Sequence, residues 1–313
     1  MLDLQLPDVD RWSDRVVVAL GQNPGIFTGP GTNTYLIGTG KRRILLDTGQ
    51  GRDAYLPILD TALERAGCEG IQEIVLTHGH EDHIGGARFV IERHGAMRVS
   101  KRPWAGFDDR HGLAITPIGE GSVVRTEGAT LRAIHTPGHA EDHLCFILEE
   151  EGSLFSGDNV LGVGTTVIPG QGGNLRQYLN SLERLLAQEP GAIYPAHGPL
   201  IRDGQAKIRE YIAHRQERED QILAALDEGP LAISEIVVRI YAAYPESLHQ
   251  AAGESVGSHL RKLEDEGRVT ETQGRVTETQ GRVTAAQGRV TETLGRVTTA
   301  QGRDVAPARW RLA

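Results

Sequence analysis

The sequence lacks any apolar run that approaches the ~18–20 residues needed for a transmembrane helix. Its first residues, MLDLQLPDVDRWSDR, are acidic and have neither the basic start nor the apolar core of a secretory signal. We therefore expect a cytoplasmic protein with no membrane partner.

Cysteine and net positive charge are also scarce. Cys68 and Cys145 are the only cysteines in 313 residues, too few for a disulfide scaffold, and we interpret both as small buried side chains in a reducing compartment. The 33 Lys and Arg residues are outnumbered by 42 Asp and Glu residues, which gives a net charge of −9. Because nucleic-acid-binding proteins usually carry a basic face, this balance predicts no DNA partner and weakens the case for RNA.

Two series of short apolar strands, each with helices, occupy the first two thirds of the chain. Glycine and proline clusters separate the strands, and Gly67 is placed to end the first helix. This order predicts a layered α/β domain with its sheets packed inside. The predicted strands are 15–20, 33–37, 43–47, 73–77, 131–135, 144–149, 154–156 and 192–194, and the predicted helices are 53–66, 84–94 and 175–187.

The composition changes near residue 203, where charged helical patterns replace the strands. Helical patterns cover 203–226, 234–243 and 254–266, with Pro245 between the last two, and β-forming residues follow them. Three helices and then strands are the order of a winged-helix module. We therefore predict a catalytic domain over 1–203 and a winged-helix-like domain over 204–313.

A tandem repeat of seven residues fills 267–301, in five copies of which the first reads GRVTETQ. Each copy has essentially one large apolar residue beside glycine and β-branched threonine, a composition that does not suit a coiled coil. Two alternatives stay open, a loose tract and an extended β-ribbon. We predict that the repeat enlarges the wing and that the returning strand lies at 308–312.

Residues 77–83 read T-H-G-H-E-D-H and follow a predicted strand. Imidazole and carboxylate groups are ligands that zinc prefers, and four of them on one tight turn allow a single loop to serve two metal ions. Gly79 is expected to give the backbone room to bring His78 and His80 together. Because the chain has only 12 histidines, three within six positions indicate a site rather than a solvated loop.

This motif resembles the H-x-H-x-D-H signature of the metallo-β-lactamase superfamily. The later family motifs are also matched in order, by HTPGH with His139, LFSGDN with Asp158 and YPAHGP with His197. The segments NPGIFTGPGTNTYLIGTG, RRILLDTG and SGDNVLGVGTTV are similar to the lactamase-beta-like protein 2 group, and similar motifs occur in fungal metallo-β-lactamase-type thioesterases. The resemblance covers ~10–270 and implies an αββα sandwich followed by a winged-helix-like domain. The seven-residue repeat departs from the family.

The resemblance also implies two zinc ions per chain, with a metal-bound hydroxide between them as the nucleophile, because zinc lowers the pKa of bound water toward ~7. It makes Asp82 and Asp158 the predicted catalytic side chains. The implied ligands are His78, His80 and His139 for the first ion, Asp82, His83 and His197 for the second, and Asp158 as the bridge.

Several residues are predicted to support these ligands or to contact substrate. Asp47, at a strand end in LLDTG, either orients a ligand histidine or is an ordinary turn residue. His143 competes with His139 as a ligand, and the family motif favours His139, which leaves His143 a supporting or substrate-binding role. Pocket-lining and turn or cap roles are equally open for Asn33, Thr34, Asn159, Thr165 and Thr166. We interpret the remaining histidines as structural, surface or helix residues: His94, His111, His135, His214, His249 and His259.

Three functions are compatible with these motifs. The first is hydrolysis of an ester or thioester, with an acyl group on coenzyme A or a carrier protein. The second is endonucleolytic cleavage of single-stranded RNA, although residues 205–268 hold 8 Lys and Arg against 12 Asp and Glu, a net of 8 − 12 = −4. The third is a non-catalytic docking protein, which the complete ligand set disfavours. A homo-oligomer stays open. A true β-lactamase is not expected: the fold alone does not determine the substrate, and we find no secretion signal that would bring the enzyme to its drug.

Overall fold

The computed structural model describes residues 4–272, 297–298, 304–305 and 308–313. By its internal contacts the chain divides into two compact units, Met1–Thr166 with Gly172–Ile212, and Val167–Gln171 with Ala213–Ala313. The division falls inside a long helix that begins at Gly204. The domain boundary at 203 stays a prediction.

The first unit is built around a sheet of seven strands. These strands are neighbours in chain order, antiparallel from the first to the fourth and parallel from the fourth to the seventh. The carboxyl ends of the fourth and fifth strands therefore meet at one edge. The strands are β1 (Val9–Arg11), β2 (Val16–Leu20), β3 (Asn33–Ile37), β4 (Arg42–Leu46), β5 (Gly70–Val75), β6 (Arg98–Lys101) and β7 (Ile115–Pro117).

A second sheet packs against the first. Its strands are β8 (Val123–Thr126), β9 (Ala129–His135), β10 (Leu144–Leu148), β11 (Ser153–Gly157) and β12 (Ile193–Pro195). Their spatial order is β12-β11-β10-β9-β8, and only the β11–β12 pair among them is parallel. Alternation along β2 shows how the sheets meet. Val16 and Val18 lie in the core shared with the second sheet, whereas Val17 and Ala19 lie in the core on the opposite face.

Helices cover the outer face of each sheet. The helices that begin in this unit are α1 (Tyr55–Ala66), α2 (Glu81–Ile84), α3 (Ala87–His94), α4 (Leu175–Leu186) and α5 (Gly204–Leu226). Leu59 of α1 and Val90 of α3 share the core of Val17. On α4, the Ser181 hydroxyl donates to the carbonyl of Pro137 at 2.8 Å, beyond the end of β9. The predicted αββα sandwich is confirmed, and Gly67 ends α1 in a left-handed conformation as predicted.

The predicted helix over 84–94 is broken in the structure. Residues 87–94 of it form α3, whereas Ile84 is the last residue of α2; Gly85 and Gly86 separate the two helices, and a Cβ on Gly86 would lie 2.0 Å from the carbonyl oxygen of Thr48. The expectation that one tight turn carries all the clustered ligands is therefore wrong, because Asp82 and His83 stand on the short helix α2. Strands β1, β6, β7 and β8 were not predicted, since each is short and has little apolar alternation.

The second unit contains the predicted winged-helix order. Its elements are β13 (Leu231–Ala232), α6 (Ile233–Ile240), α7 (His249–Asp265), β14 (Val269–Thr272), β15 (Val297–Thr298), β16 (Asp304–Val305) and β17 (Arg309–Leu312). The returning strand predicted at 308–312 is confirmed as β17, which pairs antiparallel with β14 and β13 and buries Trp310 against the helices. Most of the seven-residue repeat, at 273–296 and 299–301, lies outside the described residues. Within the part of the chain that the structure describes, no helix combines the length and apolar character required to cross a bilayer.

Candidate metal centre

The ends of β4 and β5 hold each other at the edge of the first sheet. Thr77 follows β5, and its backbone N–H and its hydroxyl both donate to the Asp47 carboxylate, at 2.8 and 2.9 Å. Asp47 follows β4 and adopts a φ of 59°, which is uncommon for a residue other than glycine. These contacts determine the direction in which His78 leaves the sheet.

Three predicted ligands, which we call the histidine set, converge beyond β5: His78, His80 and His139. Nε2 of His78 and Nε2 of His139 each lie 3.0 Å from Nδ1 of His80. Each ring therefore directs one nitrogen at the same point. His80 is half-buried, whereas the other two side chains are buried.

The other four predicted ligands form what we call the mixed set: Asp82, His83, Asp158 and His197. Nε2 of His83 and Nε2 of His197 lie 3.3 and 3.2 Å from the same oxygen of Asp82. These two nitrogens lie 3.4 and 3.2 Å from Oδ1 of Asp158. Two imidazoles and two carboxylates thus surround a second point.

Asp158 joins the two sets. Its Oδ2 lies 3.4 Å from Nε2 of His139, whereas its Oδ1 belongs to the mixed set. The carboxylate is nearly buried, and the turn after β11 that carries it places one oxygen toward each set. This is the position that the resemblance assigns to a bridging ligand.

The residues present fit two divalent ions. Two ligand atoms on one tetrahedral zinc ion, each ~2.0–2.2 Å from the metal, are about 3.3 Å apart. The observed separations are 3.0 Å in the histidine set and 3.2 to 3.4 Å in the mixed set. Among the described residues, Nε2 of His83 and Oδ1 of Asp158 are buried without a hydrogen-bond partner. Such unsatisfied atoms are costly, and a shared cation would satisfy both.

Two rings of the histidine set, those of His78 and His80, are held neutral. Burial is the main cause that lowers the pKa of His78, and the neighbouring imidazoles of His83 and His80 lower it further. Burial and then the ring of His139 lower the pKa of His80 to about 3. At neutral pH these rings present lone pairs, which is the state that a metal ion requires.

The mixed set carries charge. Burial disfavours the ionised form of Asp158, but the imidazoles of His197 and His83 outweigh it, and the pKa of the carboxyl lies well below its usual range. Burial likewise opposes protonation of His197, yet the carboxylates of Asp158 and Asp82 raise the pKa of that ring to about 9. The pKa of His83 is also raised, because Asp82 and Asp158 outweigh its burial.

Asp47 reaches the mixed set through His83. Its Oδ2 lies 2.8 Å from Nδ1 of His83, which leaves Nε2 of that ring directed at the site. The backbone carbonyl of His83 accepts hydrogen bonds from both the N–H and the hydroxyl of Thr48. The geometry is that of a carboxylate that orients a ligand histidine.

His143 lies beneath the site. Its Nε2 accepts a hydrogen bond from the backbone N–H of Asp158 at 3.1 Å, and its Nδ1 lies 2.9 Å from the Thr136 hydroxyl. Both ring nitrogens therefore contact a backbone N–H or a hydroxyl, and neither contacts a side-chain ligand atom of the two sets. A Cβ on Gly157 would lie 2.5 Å from the His143 ring, so this glycine allows the close approach.

Asn33 and Asn159 lie behind the ligands. The Asn33 amide donates to the carbonyls of Pro195 and Gly198, at 2.9 and 2.8 Å, and so holds the segment that carries His197. The Asn159 amide donates to the Thr136 carbonyl at 3.2 Å. Both side chains are fully buried.

The threonines differ in their positions. The Thr34 hydroxyl donates to the Ala19 carbonyl at 2.8 Å and lies 2.7 Å from the Tyr55 hydroxyl, within the core, which is a structural position. The Thr166 hydroxyl lies 3.3 Å from Nδ1 of His139, behind the histidine set. Thr165 is half-buried.

Sequence reasoning missed a group beside His80. Lys101, at the end of β6, is fully buried, and its ammonium lies 2.7 Å from Asp108 and 2.6 Å from Asp142. A Cβ on Gly79 would lie 3.2 Å from the Phe107 ring and 3.3 Å from Cε of Lys101. Gly79 therefore makes room for the side chains of Phe107 and Lys101, whereas the sequence suggested that it gives the backbone room to bring His78 and His80 together. The available signal was Asp142 itself, which stands inside the HTPGHAEDH motif.

The remaining histidines lie outside the two ligand sets. His94 ends α3, His135 ends β9, and His111 lies in a 3₁₀ turn. His214 lies on α5, and His249 and His259 lie on α7. His259 is buried rather than at the surface, and burial lowers its pKa to about 3.

Known proteins share both the fold and the motifs. The family model of the metallo-beta-lactamase superfamily matches residues 27–197, which include all seven predicted ligands, and the model of the beta-lactamase associated winged helix domain matches 232–293. The crystal structure of a metallo-beta-lactamase family protein from Thermus thermophilus has 25% identity and a TM-score of 0.70, with 84% of this chain and 97% of that chain covered.

Curated relatives are more similar in sequence. Lactamase-like protein adaB of Aspergillus niger is 40% identical over 279 residues, covering 85% of each chain. The atrochrysone carboxyl ACP thioesterase AgnL7 of Paecilomyces divaricatus is 41% identical over 274 residues, covering 84% of each. A beta-lactamase-like protein 2 homolog of Drosophila melanogaster is 38% identical over 276 residues, covering 84% of this chain and 92% of its own. The chain therefore belongs to the metallo-β-lactamase superfamily, as a hydrolase of that fold with a C-terminal beta-lactamase-associated winged-helix domain.

Proposed function

We propose that the protein is a zinc-dependent hydrolase of acyl thioesters, with the acyl group carried on coenzyme A or a carrier protein. The observation that carries this proposal is the convergence of seven side chains into two ligand sets that share Asp158. The likeness to a protein named as an ACP thioesterase supports the choice of bond. A cytoplasmic setting belongs to the same proposal.

The histidine set would hold one zinc ion and the mixed set the other, with Asp158 common to both. When bound, the two ions supply a nucleophile at neutral pH and polarise the carbonyl group that is attacked. Asp82, the half-buried carboxylate of the mixed set, would help to hold the second ion and would orient the attacking water by accepting a hydrogen bond from it. Asp47 and His143 keep His83 and Asp158 in position.

The choice between a thioester and RNA rests on charge and relatives. The two-metal arrangement serves phosphodiester cleavage equally well. However, the chain has a net charge of −9, and RNA binding draws most of its affinity from basic groups. We therefore place cleavage of single-stranded RNA second and make it an arm of the test.

The test measures thiol release from an acyl-coenzyme A panel by the zinc-loaded protein, with a labelled single-stranded RNA in parallel. We expect thiol release by the wild type and a loss of at least about 100-fold in Asp82→Ala. Loss of a ligand should cost at least as much as the largest loss, about 100-fold, seen when a residue behind a ligand is removed. His94→Gln, on α3, is the matched histidine control for His78→Ala. Metal content is measured by mass spectrometry for every variant.

The outcomes separate the hypotheses. RNA cleavage that disappears in both Asp82→Ala and His78→Ala, without thiol release by the wild type, would establish the ribonuclease function instead. Full thiol release and full metal content in Asp82→Ala would refute the ligand assignment.

A further inference from the structure

Two stacked aromatic rings stand beside the histidine set. The Trp104 and Phe107 ring centroids are 4.0 Å apart with an interplanar angle of 8°. Each centroid lies 6.3 Å from that of His80. The guanidinium carbon of Arg110 lies 3.5 Å from the Phe107 centroid, so it covers the face of Phe107 that Trp104 does not occupy. We call the pair Trp104 and Phe107 the aromatic wall.

Buried ion pairs hold the aromatic wall in place. Asp108 accepts a hydrogen bond from the backbone N–H of Trp104 at 2.7 Å and pairs with Lys101 through its other oxygen, also at 2.7 Å. Lys101 pairs in turn with Asp142, three residues after His139, and neither of these two side chains is exposed. The segment that carries the wall is thus tied to the segment that carries a ligand of the histidine set.

The wall lies where substrate must enter. Of the seven ligand residues, only His80 and Asp82 are half-buried, while the other five are buried. The open side of the site is therefore the side of His80 and Asp82, and both wall rings flank His80. A Cβ on Gly172 would lie 2.9 Å from the edge of the Trp104 indole, so a neighbouring turn restrains that ring from another direction.

We propose that the aromatic wall binds a flat, conjugated acyl group next to the scissile thioester and so determines which acyl groups the enzyme hydrolyses. This inference rests on the proposed function and specifies the substrate class of the same site. Rings pack against rings edge-to-face or offset, and such contacts add affinity beyond the buried area, equivalent to roughly three- to tenfold. A saturated ring of similar size obtains the burial but not this addition.

The first experiment compares the benzoyl and cyclohexanecarbonyl thioesters of N-acetylcysteamine, which share one leaving group. We expect Trp104→Leu and Phe107→Leu each to lower the benzoyl-to-cyclohexanecarbonyl ratio of kcat/KM by roughly three- to tenfold, mainly through KM. Phe89→Leu removes an exposed aromatic ring from α3 and is the matched control, in which the ratio stays at its wild-type value. An unchanged ratio in both wall variants, at wild-type metal content, overturns the inference.

The second experiment needs no hydrolysis. The chain has three tryptophans, so Trp12→Phe with Trp310→Phe leaves Trp104 as the only one. We expect the unreactive amide analogue of the benzoyl thioester to quench its fluorescence with saturation, and the cyclohexyl amide to bind roughly three- to tenfold more weakly. If that background does not fold, the ¹⁹F signal of 5-fluorotryptophan in the wild type, assigned with Trp104→Phe, replaces the fluorescence.

The two experiments distinguish the two proposals. Aromatic-selective quenching without thioester hydrolysis would support the wall and refute the thioesterase function. Hydrolysis without selective quenching and without the shift in the kcat/KM ratio would support the thioesterase function and refute the wall.

Discussion

The histidine set and the mixed set share Asp158, yet they differ in charge. Three rings converge in the first, and burial lowers the pKa of two of them, His78 and His80, which are therefore neutral. In the second, carboxylates face His83 and His197 and raise the pKa of both rings. One set therefore offers lone pairs directly, whereas the other holds protons that a metal ion must displace.

The two sets also differ in how their ligands are supported. In the mixed set, the charged carboxylate of Asp47 lies 2.8 Å from Nδ1 of His83. In the histidine set, the neutral hydroxyl of Thr166 lies 3.3 Å from Nδ1 of His139. Charge-assisted contacts are shorter and roughly twice as strong as neutral ones. We therefore expect mutations behind the mixed set to have the larger consequences.

The largest effect is expected when the shared ligand is removed. Asp158→Asn keeps the shape of the side chain but removes the charge that faces both sets. We expect it to reduce metal content in both sets and activity by at least about 10²–10³-fold, the scale measured for single electrostatic groups in active sites. His197→Ala, which touches the mixed set alone, should lose about one ion. Two tightly held ions per chain in Asp158→Asn, by mass spectrometry, would exclude the bridging role.

The second effect is the pH dependence of metal affinity. A ring whose pKa is raised to about 9 is protonated near neutral pH, and metal binding must release that proton. Affinity of the mixed set should therefore rise by at least about tenfold per pH unit below that pKa, and more steeply where His83 is also protonated, which makes at least about 100-fold between about pH 6 and 8. The histidine set should show a smaller slope, because His78 and His80 are already neutral there.

Calorimetry in buffers of different ionisation enthalpy counts these protons. His139→Ala isolates the mixed set and His197→Ala isolates the histidine set. If both sets released equal numbers of protons on binding metal, the proposed difference in charge between the sets would be wrong. The same shift has a consequence for the metal-free protein: the stability contributed by protonated His197 is fully present below about pH 6.5 and is lost as the pH rises through about 9.

The convergence of the seven predicted ligands was predictable because they stand in contiguous motifs at strand ends. The T-H-G-H-E-D-H segment and the later His139, Asp158 and His197 motifs mark both sets before any fold is known. The aromatic wall was not predictable in this way. Trp104 and Phe107 follow β6, a strand whose four residues have no apolar alternation and end in a buried lysine. Their relation to the site comes from the parallel pairing of β5 with β6, which brings two strand ends together.

The third effect concerns the residue behind His83. Asp47→Asn should weaken metal binding in the mixed set by about 10–100-fold, the usual cost of losing a carboxylate behind a ligand histidine. The histidine set should lose less affinity, because Asp47 contacts the His83 ring directly but reaches His78 only through the Thr77 hydroxyl. Competition with a chelating indicator measures both affinities. A parallel loss of metal affinity from both sets would mean that Asp47 acts mainly by holding the ends of β4 and β5 together. Its carboxylate also accepts a hydrogen bond from the backbone N–H of Thr77 there.

The smallest effect is expected behind the histidine set. Thr166→Val removes a hydroxyl that lies 3.3 Å from Nδ1 of His139, near the long limit of a hydrogen bond, and keeps the branched shape of the side chain. We expect the affinity of the histidine set to change by less than about threefold, since a neutral bond of this length contributes little net free energy. Competition with the same chelating indicator measures the affinity of the histidine set in Thr166→Val. A loss as large as that of Asp47→Asn would show that neutral and charged supports matter equally, so that charge alone does not distinguish the two sets.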